Sequence, residues 1–143
     1  MPMGEKDRKT ADLIYPELSY AIVGILFEVA NALPPGLPEK DYQRALSMLL
    51  TDRKINFARE VYIPITLLGK LVSKYFADFV IDNKILLELK VGPTLGYAHA
   101  RQTLTCLRAK NLQLGIIAYF TKNGVQCRRI VNENYKSEPS LTH

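Results

Sequence analysis

Between Phe76 and Lys90 the chain reads FADFVIDNKILLELK, two largely apolar runs divided by the polar triplet Asp82-Asn83-Lys84. Apolar residues at alternating positions on either side of an Asp/Asn turn signal predict a β-hairpin. A three-residue loop at that triplet sets Ile81 opposite Ile85 and carries Asp78 to a place directly across from Glu88. Ala77, Phe79, Ile81, Ile85, Leu87 and Leu89 then line one apolar face, while Val80 and Leu86 share the other with Asp78, Glu88 and Lys90 at the end far from the turn. A two-residue turn would slip the pairing by one and send Asp78 to the side opposite Glu88. What the chain can do with these charges depends on that register.

The rest of the chain supplies layers for this hairpin. Pro16 stands where a first helical residue would, and Leu18, Ile22, Ile25, Leu26 and Val29 recur at helical spacing up to the breaker Pro34-Pro35-Gly36. Ala21, Gly24 and Glu28 form a second stripe on that helix, two small side chains that would allow close approach to a sheet beside one carboxylate. A second helix runs from Pro38 to about Lys54 with Tyr42, Ala45, Leu46, Leu49 and Leu50 inward. Val61, Ile63 and Ile65 then alternate, a turn near Gly69 leads into Val72 to Asp82, and Ile85 to Val91 completes a three-stranded antiparallel meander. Pro64, which lacks an N–H, puts the first of these strands at an edge or a bulge. After a loop from Gly92 to Gly96, Tyr97 to Lys110 reads as a third helix with Ala100, Leu104 and Leu107 inward, and two short strands follow, Leu114 to Phe120 and Val125 to Val131. The order is ααβββαββ in one α/β domain over residues 13–131, with polar tails at 1–12 and 132–143.

A length of 143 residues leaves no room for a second full core, and 48% hydrophobic with 23% charged residues excludes wholesale disorder. Glu28 interrupts the longest apolar stretch, Ala21 to Ala32, so no membrane span is expected. The polar start MPMGEKDRKTAD has no apolar signal region, which points to a cytoplasmic protein. Cys106 and Cys127 are too few for a disulfide framework and lack metal-ligand spacing, so both read as reduced and buried. Nineteen Lys and Arg against fourteen Asp and Glu give a net charge of +5, which permits a polyanionic partner without requiring one. No glycine-rich phosphate loop, nucleophile elbow or HExxH helix is present, and two histidines give serine-triad and zinc-hydrolase chemistry little to stand on.

Two facing carboxylates raise each other's proton affinity unless a cation intervenes, so a divalent ion is the natural partner for Asp78 and Glu88. Mg²⁺ takes oxygen ligands, typically one or two carboxylates with phosphate and water, and Lys90 on the same face could stabilise charge developing on phosphorus. The alternative is an exposed cross-strand ion cluster contributing ~0.2–1 kcal/mol.

The heptapeptide Gly36-Leu-Pro-Glu39-Lys-Asp-Tyr42 spells G-x-x-E-x-x-Y. Together with Glu28, the Asp78 hairpin and the Glu88-Leu-Lys90 triplet, it resembles the GxxExxY protein family, a branch of the PD-(D/E)XK nuclease-like superfamily. The resemblance covers about residues 13–131. It implies a restriction-endonuclease-like core, a mixed sheet flanked by helices, in which Asp78 and Glu88 ligate Mg²⁺ or Mn²⁺ and Lys90 assists hydrolysis of a phosphodiester in DNA or RNA. It also implies that Glu28 joins the metal shell and that Gln102 supports the site from the following helix, with His99 one turn before it. The chain departs from the related Q-x-x-x-Y pattern, since Cys106 follows Gln102 by four, and it has Ala30 where relatives often carry histidine.

Each supporting residue also has a structural reading. Glu28 could be a solvated helix residue, Glu39 could complement a helix dipole, and Tyr42 could be a core aromatic with its hydroxyl bonded. Gln102 could serve packing near the sheet edge, and His99 could be a surface histidine. Beside the metal-dependent nuclease stands a second hypothesis, a catalytically inactive module of the same fold that binds nucleic acid or a protein partner. An edge strand at Val125 to Val131 together with apolar tyrosines would also allow a homodimer.

Overall fold

The computed structural model describes residues 14–92 and 97–137. Helix α1, Pro16–Ala32, opens on its proline and buries Ile22, Ile25, Leu26 and Val29. The break before α2, Glu39–Asp52, places Gly36 at φ 86°, a conformation costly for a residue with a Cβ. Tyr42 fastens that break to the helix: its hydroxyl donates to the Pro34 carbonyl at 2.9 Å, and its ring stacks on Phe120 with centroids 4.3 Å apart.

Five strands follow the expected order, β1 Phe57–Leu67, β2 Lys70–Ile81, β3 Ile85–Val91, β4 Leu114–Thr121 and β5 Gly124–Val131, with α3, Tyr97–Lys110, between β3 and β4. They form one sheet in the order β1-β2-β3-β4-β5. The β3–β4 pair is parallel because α3 carries the chain back across the sheet, and the other pairs are antiparallel, so the sheet is mixed. Pro64 lies in the edge strand β1, where its missing N–H is tolerated. The seven residues Leu114 to Phe120 are all buried, as suits an interior strand covered on both faces.

Two apolar layers sandwich the sheet. Phe79, Ile81, Ile85, Leu87 and Leu89 pack with Ile116, Ala118 and Phe120 under α1 and α2. Val80, Leu86 and Ile63 pack on the opposite side with Cys106 and Leu107 of α3. Ala77 belongs to this second layer, not to the Phe79 face expected from strict alternation. The reason lies at Glu60, whose left-handed φ of 49° turns the strand over; pairing runs from Arg59↔Phe79 to Val61↔Ala77 and skips Glu60 and Asp78. The β1–β2 ribbon therefore changes face at the level of Asp78.

The buried stripe of α3 is Thr103, Cys106 and Leu107, while Ala100 and Leu104 are half-buried. Gly115 in β4 explains this shift of one position, because a Cβ there would lie 2.9 Å from the Thr103 methyl and 3.2 Å from Leu107. Gly24 has the opposite character: it is exposed, and a Cβ there would meet nothing within 4 Å, so the Ala21-Gly24-Glu28 stripe makes no close approach to the sheet. Asn132, expected in the tail, is buried and donates its side-chain amide to the Leu112 carbonyl at 3.0 Å. The Lys136 N–H donates to Asn111 Oδ1 at 3.1 Å, which fastens this stretch to the end of α3. The expected tail at 1–12, the end of the C-terminal one and most of the Gly92–Gly96 loop lie outside the described residues. Among the described residues no helix is long and apolar enough to cross a membrane.

Candidate active site

The hairpin register is the one that joins the two carboxylates. Asp82 and Asn83 take left-handed φ values of 53° and 54°, tolerated best by Asp and Asn after Gly, and the Lys84 N–H donates to the Ile81 carbonyl at 3.0 Å. Ile81 thus faces Ile85, Val80 faces Leu86 and Phe79 faces Leu87. At the next level the ladder stops, and side chains take over the main-chain partners. The Asp78 N–H donates to Glu88 Oε1 at 3.1 Å, and the Leu89 N–H donates to Asp78 Oδ2 at 2.8 Å. Each carboxyl satisfies an amide that the parting strands would otherwise leave without a partner.

The Glu88 carboxyl sits in the sheet with little water around it. Burial, followed by the neighbouring Asp78 charge, pushes its pKa up from 4.5 to about 8, opposed by hydrogen bonding from the Asp78 main chain and by the Lys90 cation. The Asp78 side chain, close enough to act as a hydrogen-bond partner, adds to the rise. Glu88 and Lys90 line a recess of about 10 Å³ together with His99, Gln102, Thr103 and Cys106 of α3. Burial, and then the Glu88 charge, raises the Cys106 thiol to about 11, so at neutral pH it is not a thiolate. Cys127 is half-buried and burial raises it likewise to about 11; both cysteines are free.

The hairpin and α3 therefore gather five of the expected site residues: Asp78, Glu88, Lys90, His99 and Gln102. Three others lie elsewhere. Glu28 is exposed on α1 and forms a two-pronged pair with Arg53, one prong being Arg53 Nη2 to Oε1 at 2.7 Å. These hydrogen bonds hold its carboxyl below the usual carboxylate range. α1 packs on the face of the sheet opposite to α3, where the Glu28 carboxyl is engaged by Arg53 and not by the Asp78 and Glu88 pair. Glu39 is half-buried in the first turn of α2, where its charge complements the helix dipole. Tyr42 is the core aromatic described above, so the heptapeptide serves the α1–α2 turn.

Tyr119 is a site neighbour that the sequence reading did not single out. It pairs with Lys90 in the parallel β3–β4 ladder, and its hydroxyl hydrogen-bonds His99 Nδ1 at 3.2 Å. Its only signal was one polar-tipped side chain in the apolar run Leu114 to Phe120, and the register that brings it to Lys90 is set across the whole of α3.

Among the described residues no group of three or more His, Cys, Asp or Glu is placed to hold a metal. The donor chemistry of the pair nonetheless fits a hard divalent cation, since two carboxyls whose charges oppose each other come together here and Mg²⁺ commonly takes only one or two carboxylates from protein.

No curated protein sequence matches the chain. Among solved structures it is similar to the crystal structure of SSO0001, at 25% identity and a TM-score of 0.53, over 65% of this chain and 50% of that one. The chain thus spans half the length of that structure. It is also similar to an alkaline exonuclease (LHK-Exo) from Laribacter hongkongensis, at 11% identity and a TM-score of 0.47, over 81% of this chain and 83% of that one. Three helices on a five-stranded mixed sheet among the described residues give a restriction-endonuclease-like α/β fold. The model of the PD-(D/E)XK nuclease superfamily matches residues 16–130, a span that holds every element of this fold except the final residue of β5. With the acidic pair at the parting of β2 and β3 and Lys90 two residues beyond, the chain belongs to the PD-(D/E)XK nuclease superfamily.

Proposed function

We propose that this chain is a metal-dependent nuclease of the GxxExxY branch, hydrolysing phosphodiester bonds in DNA or RNA with Mg²⁺ or Mn²⁺ held by Asp78 and Glu88. The observation that carries this reading is the mutual arrangement of the two carboxyls, each anchored on an amide of the opposite strand where β2 and β3 part. Such anchoring fixes the donors before any ligand arrives. A divalent ion bound there would lower the pKa of a water and offset charge on the phosphate. Lys90, whose cation is felt by Glu88, orients the phosphodiester and stabilises negative charge developing on its oxygens. Gln102, on the wall of the recess, would support the site from α3, and His99, braced by Tyr119, limits the recess on that side.

Cleavage of single- and double-stranded oligonucleotides with Mn²⁺ tests the reading. Asp78→Ala is expected to reduce cleavage to background, and Lys90→Ala to slow it about 100-fold. Glu28→Ala, which removes only an exposed ion pair, is expected to leave cleavage within about twofold of the parent. Cleavage that survives Asp78→Ala would overturn the proposal. Cys106, a buried free thiol four residues after Gln102 where the related pattern has tyrosine, favours a second reading, a module that retains nucleic acid without cutting it. Salt-sensitive binding with no cleavage in Mn²⁺ would select that reading.

A further inference from the structure

The heptapeptide that ends in Tyr42 builds one wall of a groove at the end of the sheet. Tyr42 fixes that wall twice: its hydroxyl donates to the Pro34 carbonyl at 2.9 Å, and its ring stacks on Phe120 near the end of β4. The α1–α2 turn is thereby set over the carboxyl ends of the parallel strands β3 and β4, the end at which α/β sheets commonly take ligands. Between it and the β4–β5 turn lies a groove of about 560 Å³, within the ~300–1,000 Å³ of small-ligand sites. Pro35, Val91 and the nearly buried Phe120 give it apolar walls, and Lys122, Asn123 and Gln126 give it polar ones. These three polar residues are exposed, and among the described residues none of their side chains has a hydrogen-bond or ion-pair partner. Lys122 carries the one charge on the described lining, so no carboxylate there offsets it. The turn that presents it is closed on itself: Thr121 Oγ1 accepts from the Asn123 N–H at 3.1 Å and donates to the Gly124 carbonyl at 2.9 Å.

The groove is joined to Lys90 around the end of the sheet. Val91 follows Lys90 directly and is the last residue of β3, so beyond it this strand no longer separates the two faces. On the face that carries Lys90, the row Lys90, Tyr119 and Gln126 crosses β3, β4 and β5 as direct neighbours, and Gln126 lines the groove. Two strand spacings put Lys90 and Gln126 ~10 Å apart, about three nucleotides at the duplex rise. A cation that no carboxylate offsets suits a phosphate, primary amides offer both N–H and C=O to the edge of a base, and apolar walls suit its ring or sugar. Resting on the nuclease reading above, we infer that this groove is a subsite for one nucleotide of the cleaved strand, its phosphate on Lys122 and its base between the Pro35 and Val91 walls and the amides of Asn123 and Gln126. The heptapeptide is then a positioning element of that subsite, with Gly36 supplying the φ of 86° at the turn and Tyr42 holding the turn in place.

Binding without a divalent ion separates this inference from catalysis. A dye-labelled oligothymidine titrated in EDTA at several salt concentrations reads both affinity and the number of phosphates held. Lys122→Ala is expected to bind it about fivefold more weakly at low salt and to lower the slope of log affinity against log salt by about 0.7, the share of one phosphate. Lys70→Ala, which removes an exposed cation at the β1–β2 turn, is expected to leave the slope unchanged. Tyr42→Phe keeps the ring on Phe120 and loses the bond to Pro34; it is expected to weaken binding about threefold at an unchanged slope, as suits a displaced wall and not a lost charge. Circular dichroism checks that each variant is folded. No binding by the parent, parental affinity in Lys122→Ala or Tyr42→Phe, or an equal loss of slope in Lys122→Ala and Lys70→Ala overturns the inference. If binding depends on Lys122 but the parent cuts nothing in Mn²⁺, the nuclease reading fails and the subsite stands. If the parent cuts, and Lys122→Ala and Tyr42→Phe bind and cut as it does, the subsite fails and the nuclease reading stands.

Discussion

Glu88 is held in an environment that favours its protonated form, with a pKa near 8 where an ordinary glutamate has 4.5. Between these values the folded chain keeps a proton that the unfolded chain releases, so the resulting stability is present below pH 4.5 and is lost as the pH rises through about 8. Thermal or urea unfolding in EDTA is therefore expected to show stability falling steadily from ~pH 5 to ~pH 8. Glu88→Gln, which keeps the shape of the protonated acid, is expected to flatten that slope and to end cleavage; an unchanged slope would locate the effect in another group. The Asp78 and Glu88 juxtaposition was legible because it depends on a turn only four residues away from each of them, whose Asp and Asn accept left-handed backbone. The placement of Glu28 was not legible, since its ion pair with Arg53 joins positions 25 residues apart through the packing of α1 on α2.

At the scale of elements, the seat of α3 on β4 is the contact most sensitive to size. Gly115 lets the Thr103 methyl and Leu107 press against the strand, and a methyl group added there would overlap the Thr103 side chain. Gly115→Ala is expected to destabilise the fold by about 1–3 kcal/mol in denaturant unfolding. Thr103→Ser in that background removes the colliding methyl and is expected to restore part of the loss; full additivity of the two changes would show that they do not meet. Because α3 also carries Gln102 and His99, the same seat fixes their approach to Glu88 and Lys90. The bounds of α3 were readable from local pattern, yet its buried face was misjudged by one position, because helical spacing counts apolar residues and has no knowledge of a glycine on a partner strand. β1 was likewise read from Val61 rather than Phe57, since the left-handed residue Glu60 breaks the alternation on which that reading relied.

For the whole molecule, the sheet has a covered centre and a long ribbon at one edge. β3 and β4 lie between the two apolar layers, while the β1–β2 turn at Leu67 to Leu71 is exposed on a two-stranded end. Hydrogen exchange is expected to be fast at that turn and slowest in β3 and β4; equal protection of the two regions would contradict this ordering. By itself the sequence determined the order of elements, the edge position of the Pro64 strand and the hairpin register, all of which follow from hydrophobic period, turn chemistry and missing donors within a few residues. Only the tertiary structure decided where the β1–β2 ribbon turns over, which side of α3 meets the sheet, that Tyr119 stands beside Lys90 and that Glu28 belongs to Arg53. These outcomes depend on contacts between elements distant in the chain, where one left-handed residue or one absent Cβ redirects a face that local periodicity cannot see.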